Sequence, residues 1–205
     1  MPVTVDHETL RAEELGLRTV GQVLAHLQRE RRVIVHVLID GCEPDLRKLG
    51  DVRKRPLKDH QVFIETADPR EMALDILKQV EQQLGEADRI KSEAAKLLQT
   101  NQNTKAMEKL SGCLTTWQHA QESLLGTARL LSIDLDKVQV GRGPLTSLIT
   151  SFAEQLKQIR ATLENRDFVS LRDVLVYETS ETSSQWREAL EAMRRLIGVG
   201  AAGAC

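Results

Sequence analysis

Aromatic side chains are scarce in this sequence, at 3% of 205 residues: two Trp, one Tyr and three Phe. So few rings argue against a large β-sandwich core, and against a nucleic-acid surface that stacks bases on exposed rings. Cysteines are also few. Cys42, Cys113 and Cys205 are odd in number and far apart, which fits neither a disulfide framework nor a metal-ligand spacing. No apolar run approaches the ~20 residues that would cross a bilayer. The opening stretch, MPVTVDHETLRAEE, has no positive end followed by an apolar run, so no secretory signal is expected. The net charge of −2 supplies no global attraction to nucleic acid or anionic membrane. A reducing cytoplasm is the expected location.

Apolar residues make up 41% and charged residues 28%, the balance of an ordinary folded domain. With few rings available, Leu, Ile, Val and Ala must supply the core, which suits helices. The expected class is mainly α, α+β overall. A small β-α-β-β module over residues 1–68 precedes an antiparallel, up-down four-helix bundle over residues 69–197, and residues 198–205 form a disordered tail.

In the first segment, three runs read as strands: Val3 to Val5, Val33 to Ile39 and Val62 to Thr66. The second is densest in β-branched residues and ends at Asp40-Gly41, a pair suited to a tight turn. Between the first two, Thr19 can cap a helix to about Arg32. Its residues Val20, Val23, Leu24 and Leu27 form one apolar stripe. A lone small sheet needs a cover, and this helix is the candidate; a β-grasp-like arrangement is one option. A basic run follows, with Arg47, Lys48, Arg53, Lys54, Arg55 and Lys58. It reads either as a patch for phosphate or an acidic partner or as a solvated loop between strands.

The second segment opens at Asp68-Pro69-Arg70-Glu71. This is a capping Asp, a proline at the first helical position and a Glu at the third. Helical periodicity predicts helices over about Pro69 to Gln99, Thr104 to Leu131, Pro144 to Asn165 and Phe168 to Ile197. Gly141-Arg142-Gly143-Pro144 reads as a turn before the third helix, since it lacks the Gly-Lys-Ser/Thr ending of a phosphate loop.

The fourth helix carries one irregularity. Continuing its stripe from Leu175 lands on Glu178 and Thr182, with Trp186 a turn further. Polar groups in a helical core cost free energy unless hydrogen-bonded. Three readings follow. The helix rotates and turns Val176, Thr179 and Trp186 inward; the polar stretch lines a pocket; or it faces a partner, with Tyr177, Glu178, Glu181 and Trp186 as contacts.

No catalytic, metal or cofactor constellation stands out. Di-metal bundles need Glu-x-x-His motifs, and no His follows a Glu at that spacing; His119 with Glu122 has the reversed order. Cys113 falls on an apolar stripe and reads as a small buried hydrophobe. The leading expectation is therefore a non-catalytic interaction protein, an adaptor, assembly factor or chaperone-like bundle, binding another protein through a helix face. The small module would add a second surface or mediate homodimerisation through the edge of the strand Val33 to Ile39. The alternative is a small-ligand or enzymatic site where the two segments meet, using Tyr177, Glu178 and the basic run. Nucleic-acid binding through Arg47 to Lys58 comes third, because the chain is mildly acidic.

Overall fold

A computed structural model describes residues 3–175 and 179–202. The chain is mostly helical, with seven α-helices among the described residues and a small amino-terminal sheet. It divides into two compact units, Met1–Met72 and Ala73–Cys205, each with its own hydrophobic core.

In the first unit, β1 (Val3–Val5) and β2 (Glu8–Leu10) form an antiparallel hairpin. Their two loop residues, Asp6 and His7, both have positive φ, 49° and 68°. That is the twist a two-residue hairpin loop requires. The helix α1 (Val20–Arg29) follows, then β3 (Val33–Ile39), a short helix α2 (Leu49–Lys54) and β4 (Val62–Ala67). The sheet order is β2-β1-β4-β3, with β1 parallel and β3 antiparallel to β4. The unit is thus β-β-α-β-β in its sheet-and-cover elements. The expected β-α-β-β order lacks β2, because an Asp-His turn carries none of the usual glycine signal.

The α1 stripe is buried as its spacing predicts: Val20, Val23, Leu24 and Leu27 pack with Val3, Val62 and Ile64. Thr19 caps the helix in a capping box. The Gln22 amide donates to Thr19 Oγ1 at 3.3 Å and the Thr19 amide to Gln22 Oε1 at 3.2 Å. Gly21 is required by a close approach. A Cβ there would stand 2.8 Å from the Arg53 carbonyl oxygen and 2.9 Å from the Arg53 Cβ, so α2 can lie against α1 only over a bare backbone.

The second unit begins its long helices with α3 (Pro69–Gln99). Asp68 Oδ1 accepts from the amides of Arg70 (2.7 Å) and Glu71 (3.1 Å). At the other end, Asn101 takes a left-handed φ of 55°, and the Asn101 and Gln102 amides donate to the carbonyls of Leu98 and Leu97. This closes the helix and turns the chain into α4 (Asn103–Leu130). A small hairpin of β5 (Gln139–Val140) and β6 (Gly143–Pro144) stands where only a turn was expected. It leads into α5 (Leu145–Glu164).

The helix expected over 168–197 is described in two parts. α6 (Phe168–Asp173) is followed by a π-type turn at Val174 and Leu175; residues 176–178 lie outside the described residues; α7 is Thr179–Ala202. α7 therefore continues past Ile197 through 198–202, which were expected as disordered tail.

One core gathers side chains from α3 to α7. Its centre is aromatic: Trp117, Phe152 and Trp186 meet edge to face, with centroids 6.2 Å apart for Trp117–Phe152 and 5.1 Å for Phe152–Trp186. The contacts between helices run with opposed numbering. Arg194 bonds Glu81 and Arg187 bonds Asp88 between α7 and α3. Lys109 bonds Glu93, and Cys113 bonds Ala87, between α4 and α3.

Candidate functional site

Of the residues expected to form a partner-binding face on the last helix, Trp186 does not lie on the surface. Trp186 is 1% exposed and sits in the core. The reason is the geometry of α7: the face that carries Trp186 also carries Thr182, Ala189, Leu190 and Met193, all buried. Thr182 is satisfied there by donating from Oγ1 to Gln155 Oε1 at 2.8 Å. The indole N–H of Trp186 has no acceptor among the described residues. Glu181 is exposed and accepts from Gln185 at 3.4 Å. Tyr177 and Glu178 lie outside the described residues, as does Val176.

Beside Trp186 runs a polar network between α3 and α7 that the sequence did not disclose. The Asp88 carboxylate accepts from Lys91 Nζ (3.0 Å), Ser183 Oγ (2.6 Å) and Arg187 Nη2 (2.9 Å). Lys91 Nζ also donates to Ser183 Oγ at 3.2 Å, and Lys91 is only 6% exposed. A serine hydroxyl near a buried lysine has the outline of a nucleophile with its base. Here Asp88 takes hydrogen bonds from both, so the serine proton is directed at a carboxylate and the ammonium is neutralised by an ion pair. The network serves as a clamp between helices. Cys113 lies nearby with its thiol donating to the Ala87 carbonyl at 3.0 Å. Burial pushes that thiol up to about 11, which leaves little thiolate at neutral pH. His119 and Glu122 are both exposed on α4.

A concavity with an apolar floor lies within the amino-terminal unit. It has a volume of about 650 Å³ and is formed by residues 9–14, 17–19 and 56–58. Leu10, Ala12, Leu17, Pro56 and Leu57 make the floor, and Arg11, Arg18, Lys58, Glu13 and Glu14 make the rim. The walls are held by backbone bonds. The Leu57 amide donates to the Arg18 carbonyl (2.9 Å), the Val20 amide donates to the Arg55 carbonyl (3.0 Å), and Thr19 bridges Pro56. The turn that forms the rim closes with the Leu17 amide on the Ala12 carbonyl at 2.8 Å, over a left-handed Gly16.

This arrangement divides the basic run. Lys58 lines the groove, and Arg55 is in the strand-like segment bonded to its wall. Arg53 and Lys54 lie on α2, and Arg47 and Lys48 on the 3₁₀ turn before it, away from the lining. All six side chains are exposed, and none forms an ion pair among the described residues. Much of the run is helical rather than a plain loop between strands. Arg11 and Arg18 join the site from the other wall, 40 or more residues earlier than Lys58 in the chain, and no local pattern links them to it. Arg11 pairs with Glu14 at 3.3 Å; Arg18 has no carboxylate partner among the described residues.

The sheet edge considered for dimerisation is partly closed. β3 is an outer strand, but Asp40 and Gly41 turn the chain back with positive φ, so that Cys42 pairs with Ile39. Glu43 then bonds His36 at 2.9 Å, and Pro44 follows. A proline and a charge beside an outer strand oppose further pairing.

No curated protein and no solved structure is significantly similar to this chain. A family model described as a domain of unknown function, DUF8042, matches residues 75–189, which takes in the aromatic centre and the Asp88–Lys91 network and leaves out the groove. Because that match spans more than half of its 205 residues, the chain belongs to the DUF8042 family.

Proposed function

We propose that the protein is a non-catalytic interaction protein whose docking surface is the groove of the amino-terminal unit. The observation that carries this reading is the groove itself. Its volume of about 650 Å³ is in the range of binding clefts, and its apolar floor is ringed by a few charged groups. In this reading the helical unit is an antiparallel up-down four-helix bundle of α3, α4, α5 and α7. The opposed numbering of the Arg194–Glu81, Arg187–Asp88 and Lys109–Glu93 bonds supports it. The strand order β2-β1-β4-β3 with a parallel central pair supports a β-grasp-like module. Among the described residues no helix is long and apolar enough to cross a membrane, and a cytoplasmic adaptor or assembly factor is the role we assign.

A photoreactive amino acid at Lys58, compared with the same residue at the exposed Arg129 of α4, tests this in the native cell. One polypeptide captured from Lys58 and absent from Arg129 supports the reading. A second reading, a small-molecule ligand, rests on the same apolar floor. Thermal stabilisation by a compound, with no polypeptide captured at Lys58, would favour it.

A further inference from the structure

We propose that the occupant of the groove is an extended, acidic segment of a partner polypeptide, a proposal that rests on the docking reading above. Three observations define it. The floor of Leu10, Leu17 and Leu57 is apolar, and offers room for an aliphatic side chain. The rim sets Arg11, Arg18 and Lys58 against Glu13 and Glu14, one cation in excess. Arg11 is closed on Glu14, whereas Arg18 and Lys58 form no ion pair among the described residues; Arg55 stands beside the wall, where its charge also acts on Asp40. Charges of this kind around an apolar centre select a complementary partner and speed its encounter. Finally, Thr9 and Leu10 of β2 line the groove, and β2 is an outer strand paired only with β1. An extended segment laid beside such a strand can bond its backbone there, and its alternating side chains then point in turn to floor and rim. No aromatic side chain lines the groove, so a nucleic acid would find cations but no stacking surface.

The experiment maps the segment captured by the photoreactive residue at position 58 of the full-length protein and resynthesises it as a labelled peptide. A second peptide carries Asn and Gln in place of its Asp and Glu. Binding is followed by fluorescence anisotropy. The expected result is an acidic segment whose amide analogue binds about tenfold more weakly. The R18E/K58E double variant should lose binding while its thermal unfolding stays unchanged, since both side chains are exposed. A captured segment without carboxylates, or an amide analogue of equal affinity, overturns this proposal and leaves the docking reading standing. An RNA adduct in place of a polypeptide overturns it in favour of nucleic acid. No adduct specific to position 58 overturns both.

Discussion

The helical unit ties helices to one another with ion pairs, while the amino-terminal unit leaves part of its basic run without them among the described residues. In the helical unit, cations on one helix meet carboxylates on another: Arg187 on Asp88, Arg194 on Glu81, Lys109 on Glu93. Several charges there are thus spent on architecture. In the amino-terminal unit, Arg18, Arg53, Arg55 and Lys58 have no such partner among the described residues, and two of them rim an apolar groove. The lesson is that a charged residue is a candidate for recognition only after the tertiary structure has shown that no neighbour satisfies it. Sequence counts cannot separate the two cases, because an exposed cation and a clamped one look the same in one dimension.

The sharpest way to break the comparison is at Trp186. If it is core, Trp186→Ala should destabilise the helical unit by about 3 to 5 kcal/mol. Trp186→Phe should cost much less, because it keeps a ring and the indole N–H gives up no hydrogen bond. Urea unfolding followed by the fluorescence of the remaining Trp117 reads this unit directly. A Trp186→Ala protein of unchanged stability would return Trp186 to a surface role.

The next effect is at Asp88. Its removal strands the buried Lys91 ammonium, so Asp88→Ala should cost about 2 to 3 kcal/mol, toward the low end for a broken buried pair because Asp88 itself is partly exposed. Asp88→Ala combined with Lys91→Met removes both charges and should recover most of that loss. Failure of the double variant to recover would mean that the pair does more than hold α3 to α7.

The smallest effect is at Asp6, in the amino-terminal unit. Burial would raise its carboxyl, but the hydrogen bonds from the Thr66 amide (2.7 Å) and hydroxyl (2.8 Å), with Arg32 at 2.7 Å, outweigh it and hold the carboxyl below its ordinary value. A lowered folded value means that the stabilisation is complete above the unfolded value near 4 and fades as pH falls through the folded one. Asp6→Asn should therefore destabilise this unit by about 1 kcal/mol at neutral pH, and the difference from wild type should shrink below about pH 4. Hydrogen exchange of the Ile64 and Thr66 amides is the proper readout, since both tryptophans lie in the other unit. A gap that persists in acid would show that Asp6 acts through turn geometry rather than charge.

Much of the fold was legible in one dimension. The long helices are set by strictly local features: a capping Asp before Pro69, an unbroken 3.6-residue apolar period, a polar break at 100–102. α1 was legible for the same reason, down to its cap at Thr19. β2 was missed because its turn uses Asp and His at positive φ, a conformation that glycine usually signals. The change to π-type winding at Val174 was missed because the apolar spacing of Leu171, Val174 and Leu175 fits either winding.

For the site, the sequence singled out Lys58 and Arg55 through the density of basic residues, but it could not find Arg11, Arg18 or Leu17. It also set Trp186 where a core, a pocket and a partner surface were all consistent with its spacing. What the sequence alone determined, then, is the local periodicity: where helices and most strands run and which stripe of each is apolar, because those depend on neighbours within a few residues. Which stripe meets which, whether Trp186 turns inward, and which cations lack partners were decided only by the tertiary structure. These depend on contacts such as Asp88–Ser183 and Arg18–Leu57, between residues far apart in the chain.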